Sequence, residues 1–150
     1  MKHHYYPFEA SLDYLSFDFV SCSESRKIRK RVEFVPIGAE LYNLAFGDVN
    51  TYNDIDDQVI TNNRDMEKVL STVIHIIYVF LSVFPSRVLY FEGSTQSRTR
   101  LYQIVLKRER TNWGDMFEVY GMAEGRIRIF DNCINFESFL IKRRNHEEVK

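Results

Sequence analysis

Apolar and polar residues alternate through the first third of the chain. Tyr14, Phe17 and Phe19 mark one run, Ile28, Val32, Phe34 and Ile37 a second, and Leu41, Tyr42, Leu44 and Phe46 a third. Aromatic and β-branched residues in short runs of period two are the mark of strands with one buried face, so this region predicts three antiparallel strands. The stretches Ser21 to Ser25 and Pro36 to Ala39 separate the runs, and their Ser, Pro and Gly residues favour turn backbone. A meander follows. From Gly47 to Asn63 apolar residues thin out while Asn and Asp accumulate, which predicts the longest loop of the domain, a place where function often resides.

From about Asn63 to Phe84 the period changes. Met66, Val69, Leu70, Val73, Ile74, Ile77, Phe80, Leu81 and Phe84 fill a broad helical arc, and Arg64, Lys68, Ser71, His75 and Ser82 share a narrow polar stripe. Asn62 or Asn63 is placed to cap this helix, with Asp65 and Glu67 in the first turn where the dipole favours negative charge. A helix apolar over so much of its circumference is covered on most sides, either as the central helix of the fold or as part of a homodimer interface. Its apolar stretch from Val73 to Phe84, interrupted by His75 and Ser82, is too short to span a bilayer, and no membrane partner is expected.

After Pro85, Arg87 to Glu92 reads as a strand, and Gly93-Ser94-Thr95 opens a second helix running to about Arg110. Asn112 and Gly114 end it. Met116 to Gly121 and Arg126 to Phe130 form a hairpin around Ala123-Glu124-Gly125, and Phe136 to Lys142 reads as a last strand or a helical turn. The prediction is an α+β fold in one domain, residues 1–150: an N-terminal antiparallel three-stranded meander, a long buried helix, a strand, a second helix, and a C-terminal hairpin completing the sheet.

Composition narrows the classes. A chain of 150 residues, 45% hydrophobic and 27% charged with 6 Gly and 3 Pro, matches one ordinary globular domain and excludes collagen-like or disordered chains. A net charge of −1 excludes wholesale electrostatic coating of nucleic acid or anionic membrane, though not a local basic site. Cys22 and Cys133 have no CxxC partner and no His cluster, which excludes a zinc knuckle and a disulfide framework and leaves two buried free thiols. The start, Met1 to Pro7, lacks an apolar secretion signal, so the expected setting is cytoplasmic.

The most specific chemical feature is Gly93-Ser94-Thr95-Gln96-Ser97-Arg98-Thr99-Arg100. A glycine after a strand allows a sharp turn, and a helix beginning at Ser94 or Thr95 points unpaired N–H groups at whatever lies there. Gly93, Ser94 and Thr95 thus form a candidate anion site, to which Arg98 and Arg100 add guanidinium contacts for phosphate or carboxylate. On a helical wheel Arg98 falls in the arc of Leu101, Tyr102, Ile104 and Val105, so it points inward and needs an anionic partner, either a ligand or a structural carboxylate such as Asp56, Asp57 or Glu92. Arg100 lies to one side. The motif lacks the P-loop lysine and the dinucleotide GxGxxG spacing, so it names no particular nucleotide, and no cofactor is expected.

Between Glu40 and Glu67 seven carboxylates face one arginine. Asp54, Asp56 and Asp57 supply the wall opposite the anion site. With Asp48 they have oxygens for Mg²⁺ or Ca²⁺, but the EF-hand order is missing, and no metal site is expected. Basic runs occur at Arg26 to Arg31, at Lys107, Arg108 and Arg110, and at Lys142 to Arg144. In the first, Lys27, Arg29 and Arg31 share one strand face and Ile28, Lys30 and Val32 the other, which reads as a solvated stripe or as an edge strand guarded by charge. Tyr5, Tyr6, Tyr52 and Trp113 are interleaved with charge and available for packing or base stacking. No nucleophilic triad is present: three histidines are terminal and His75 sits on the polar helix stripe.

Three runs together, Tyr42 to Asp48, Thr61 to Leu70, and Phe91 to Thr95 with Arg98 to Tyr102, resemble a domain-of-unknown-function family of short bacterial proteins met mostly in Bacteroidetes-type genomes. The resemblance runs from about residue 12 to Arg143 and implies a one-domain bacterial protein without implying roles for individual residues. Short bacterial families of this kind are often toxin–antitoxin or phage-defence components. The expectation is a binding module for a phosphate-bearing small molecule or RNA at the start of the second helix. The alternative is a toxin–antitoxin or defence component, acting through protein contacts or a first-helix homodimer, or as an RNA-cleaving toxin with Arg98 stabilising charge and a carboxylate as base.

Overall fold

The computed structural model describes residues 5–56, 65–131 and 133–144. Strands β1 (Phe8–Ala10), β2 (Ser16–Cys22), β3 (Lys27–Pro36) and β4 (Leu41–Val49) are antiparallel neighbours. The three runs read from alternation are β2, β3 and β4, and β1 adds a short edge to them. Phe17, Phe19, Val32, Phe34, Leu44 and Phe46 are buried on one face, which is the period-two pattern in three dimensions.

The loop expected from Gly47 is shorter than its composition suggests. β4 continues to Val49, the side-chain amide oxygen of Asn50 accepts the N–H groups of Tyr52 and Asp54, and the chain turns back into β5 (Ile55–Asp56), paired with Asp48 and Val49. An Asn side chain that imitates a backbone turn makes polar composition compatible with continued pairing. Residues 57–64, with Asp57 and both proposed cap residues Asn62 and Asn63, lie outside the described part.

Helix α1 (Met66–Val83) follows, then β6 (Val88–Phe91), α2 (Gln96–Arg108) and a four-residue α3 (Arg110–Trp113). β4 and β6 are adjacent and parallel because α1 carries the chain back to its starting end before β6 begins. Strands β7 (Phe117–Ala123) and β8 (Arg126–Ile129) make the expected hairpin over Glu124-Gly125, both at positive φ. The last strand, β9 (Ser138–Arg143), inserts between β6 and β7, and the order along the sheet is β1-β2-β3-β4-β6-β9-β7-β8 with β5 on β4.

Both long helices lie on one face of the sheet. Val69, Val73, Ile76, Ile77 and Phe80 of α1 are buried, and Phe80 stacks on Phe34 at 3.9 Å. The apolar arc of α1 is therefore covered by its own sheet. By length and composition α1 also passes as a membrane-crossing helix, but half of it is buried inside this fold, the pattern of a core helix. α2 packs Tyr102 against Phe91 at 4.9 Å, and Trp113, Phe130, Phe136 and Phe139 close the far end of the core. Among the described residues the other face of the sheet carries no helix.

Candidate functional site at the start of the second helix

β6 delivers Phe91 into the core, and Gly93 then turns the chain into α2. An added Cβ on Gly93 would sit 2.7 Å from the Thr99 nitrogen and 2.8 Å from the Arg98 Cβ, so only glycine fits. The Gly93 N–H donates to Thr99 Oγ1 at 2.9 Å, and Thr99 Oγ1 donates to the Thr95 carbonyl at 3.1 Å. The glycine therefore serves close packing of turn against helix.

Thr95 is the N-cap, its Oγ1 accepting the Arg98 N–H at 3.1 Å. The N–H groups of Gln96 and Ser97 have no carbonyl within the helix to bond. Ser94 Oγ accepts from Arg98 Nη1 at 2.6 Å. Arg98 is half-buried rather than enclosed, and among the described residues no carboxylate pairs with it; Glu92, one expected partner, accepts the Tyr90 hydroxyl at 2.5 Å instead. The reason lies in reach: Ser94 is one helical turn back and meets the guanidinium first. No acidic residue occupies the first turn of α2, and Arg100 is exposed. Burial pushes the Tyr102 phenol one turn further up to about 12, against a smaller opposing pull from the Arg98 charge.

The acidic wall does not assemble as a cluster. Asp48 turns inward to Lys30, whereas Asp54 is exposed and adds to the negative charge around Arg31. Asp56 is backbone-paired with Asp48 in β5, on the same edge of β4 that β6 occupies at Leu41 to Asn43. β6 and β5 thus share one edge of β4, their pairings separated by its residues 44–47, about 13 Å of strand. Among the described residues no three His, Cys, Asp or Glu side chains are placed to hold a metal ion.

A second polar cluster escaped the motif search. At one end of the helix-facing side, Lys30 is 1% exposed and its Nζ donates to Asp48 Oδ1 at 2.7 Å. Beside the start of α1, Asp65 Oδ2 accepts the Tyr6 and Ser21 hydroxyls, both at 2.5 Å, so the residue at the N-cap holds β2 and the N-terminal segment and makes no cap. Burial, then the hydrogen bond to Asp65, raises the Tyr6 pKa and keeps that phenol protonated at neutral pH. Tyr6 N–H donates to Thr72 Oγ1, and Lys68 lies over the Tyr6 ring at 4.3 Å. The signal that could have found Lys30 is its register: it shares the apolar face of Ile28 and Val32.

Several expectations for individual residues change. β3 is an internal strand, so its charge guards no edge; Arg29 and Arg31 share the Asp18 carboxylate, at 3.2 and 2.6 Å. Asp18 is pulled upward by burial, its largest single influence, but hydrogen bonds and charge from Arg31 and Arg29 together hold it below its ordinary value. His75 is half-buried, not solvated: Tyr5 stacks on it at 3.7 Å and its Nδ1 meets the Ser71 carbonyl. Both cysteines are exposed, because Cys22 falls on the open sheet face opposite Ser21 and Cys133 lies in the turn after β8. Of the stacking candidates, Tyr6 and Trp113 are in the core and Tyr52 stands 83% exposed on the β4–β5 turn. Arg108 pairs with Glu67, and Lys142 and Arg144 lie near Glu118, so these basic runs are largely engaged.

Compared with known proteins, the chain matches no curated protein and no solved structure. A family model does match, over residues 2–144 and therefore over β1 to β9 and every helix described above, and the chain belongs to that family, the Family of unknown function (DUF6934).

Proposed function

We propose that this protein is a binding module for a phosphate-bearing ligand, a nucleotide or RNA, seated at the start of α2 with Gly93, Ser94, Thr95, Arg98 and Arg100 as contacts and Asp56 of β5 beyond them. The reading places it in the cytoplasm, where such ligands abound. One observation carries it: Arg98 holds its charge at the positive end of a 13-residue helix with no carboxylate beside it among the described residues and none in the first helical turn. Helix dipole, free Gln96 and Ser97 N–H groups, hydroxyls and two guanidiniums then favour the same sign of partner.

Titration of the protein with ATP, GTP and a short unstructured RNA, followed calorimetrically at two salt concentrations, tests this. Binding that weakens with salt and is lost in Arg98→Gln and Arg100→Ala, with unfolding midpoints retained, supports the site. Wild type that binds none of the three refutes it. A second reading, a partner protein of toxin–antitoxin type, is favoured by exposed apolar residues away from this site: Tyr78 and Val83 on α1, and Ile127 and Ile129 on β8.

A further inference from the structure

Among the described residues the sheet ends on β8, which pairs there only with β7 and whose four residues Arg126, Ile127, Arg128 and Ile129 are all exposed. Glu124-Gly125 is a two-residue turn with both φ values positive, so Ala123 and Arg126 form the closing hydrogen-bonded pair. Hydrogen-bonded pairs then recur at Gly121–Arg128 and at Val119–Phe130, and the Phe130 N–H does donate to the Val119 carbonyl. It follows that the N–H and C=O groups of Ile127 and Ile129 point away from β7, toward the open edge.

The side chains on this edge alternate. Ile129 lies opposite Tyr120 and Ile127 opposite Met122 on the sheet face without helices, 72% and 59% exposed. Arg126 and Arg128 lie on the other face, and neither forms an ion pair among the described residues. A second copy of the strand fits badly. Antiparallel self-pairing keeps same-face residues opposite: centred on Ile127 it sets Arg126 against Arg128 of the other copy, and centred on Arg128 it sets that arginine against itself.

We infer that β8 is a docking edge for an extended segment of another protein in which acidic residues alternate with apolar ones, adding one strand to the sheet. Its acidic side chains lie opposite Arg126 and Arg128, in the non-hydrogen-bonded positions where cross-strand side chains come closest, and its apolar residues lie opposite Ile127 and Ile129. This edge involves none of the residues of the phosphate site, so the two readings stand or fall separately.

The test uses a short end-blocked peptide alternating Glu with Val, a Lys/Val counterpart, and fluorescence anisotropy with the whole protein. The acidic peptide binds and the basic one does not; R126E/R128E weakens the acidic peptide by about tenfold or more and accepts the basic one. N-methylation of the valines, whose N–H groups bond to β8, abolishes binding, while N-methylation of the glutamates spares it. Equal binding of acidic and basic peptides, insensitivity to the charge reversal, indifference to which residue is N-methylated, or concentration-dependent self-association through β8 would each overturn the inference. Because these residues are exposed, R126E/R128E retains the wild-type unfolding midpoint, and a variant that did not would be replaced by R128E alone.

Discussion

Lys30→Met removes, from a position that is 1% exposed, the ammonium that donates to the Asp48 carboxylate, 12% exposed, at 2.7 Å. Met matches the lysine stem in volume, so the cost is electrostatic rather than a cavity. Breaking a buried pair from one side typically costs about 3–5 kcal/mol, a large part of the ~5–15 kcal/mol that stabilises an ordinary domain. With a urea slope near 2 kcal/mol per molar, the midpoint falls by about 2 M. The single tryptophan, Trp113, is 2% exposed and gives the fluorescence signal for the unfolding curve. Asp48→Asn takes the carboxylate charge away from the buried Lys30 ammonium instead and costs a similar amount, and the double variant recovers part of both, with a coupling of about 2 kcal/mol. Single-variant losses below about 1 kcal/mol, or strict additivity in the cycle, would refute the assignment of Lys30 and Asp48 as a mutually dependent buried pair.

Three further outcomes are expected. Gly93→Ala drives a methyl against the Thr99 and Arg98 backbone and costs about 1–3 kcal/mol, whereas Gly125→Ala meets open space and loses only about 1 kcal/mol through its φ of +75°; equal effects in urea unfolding would contradict the packing role of Gly93. Cys22 and Cys133 are exposed, so both react with a thiol reagent in the native state at the rate of the unfolded chain, and a protected thiol would count against their placement. Asp18 has a depressed folded pKa, so its pairs with Arg29 and Arg31 stabilise the protein above the ordinary value of 3.8 and are lost as pH falls through the folded value. Asp18→Asn therefore lowers stability at neutral pH by about 0.5–1 kcal/mol and flattens the acid limb of a thermal-stability profile; an unchanged limb would show the pairs contribute nothing.

The elements themselves were legible because local periodicity encodes them. Phe17, Phe19, Val32, Phe34, Leu44 and Phe46 announce three half-buried strands, and the arc from Val69 to Phe80 announces a helix covered on most sides, with the sheet or a second copy as the cover. The glycine turn into α2 is equally local and appears where the sequence places it, with the cap at Thr95, one of the two residues read as the helix start. Short elements without a period of their own were not legible: β1 and β5 exist because β2 and β4 offer edges to pair with.

Partners were decided by tertiary structure alone. Whether a carboxylate joins the local Ser94 hydroxyl at Arg98, and whether Asp65 caps its helix or holds Tyr6 and Ser21, depends on which groups distant segments bring within about 3 Å. The same is true of β9, whose alternation reads as a strand but whose insertion between β6 and β7 leaves β8 as the open edge. Lys30 shows the boundary most clearly: alternation along β3 placed it on the apolar face, yet its burial beside Asp48 follows from the register of two strands. Local pattern specifies which face a residue takes, because the pleat has period two; the pairing of strands specifies what it meets there, because that energy belongs to residues far apart in the chain.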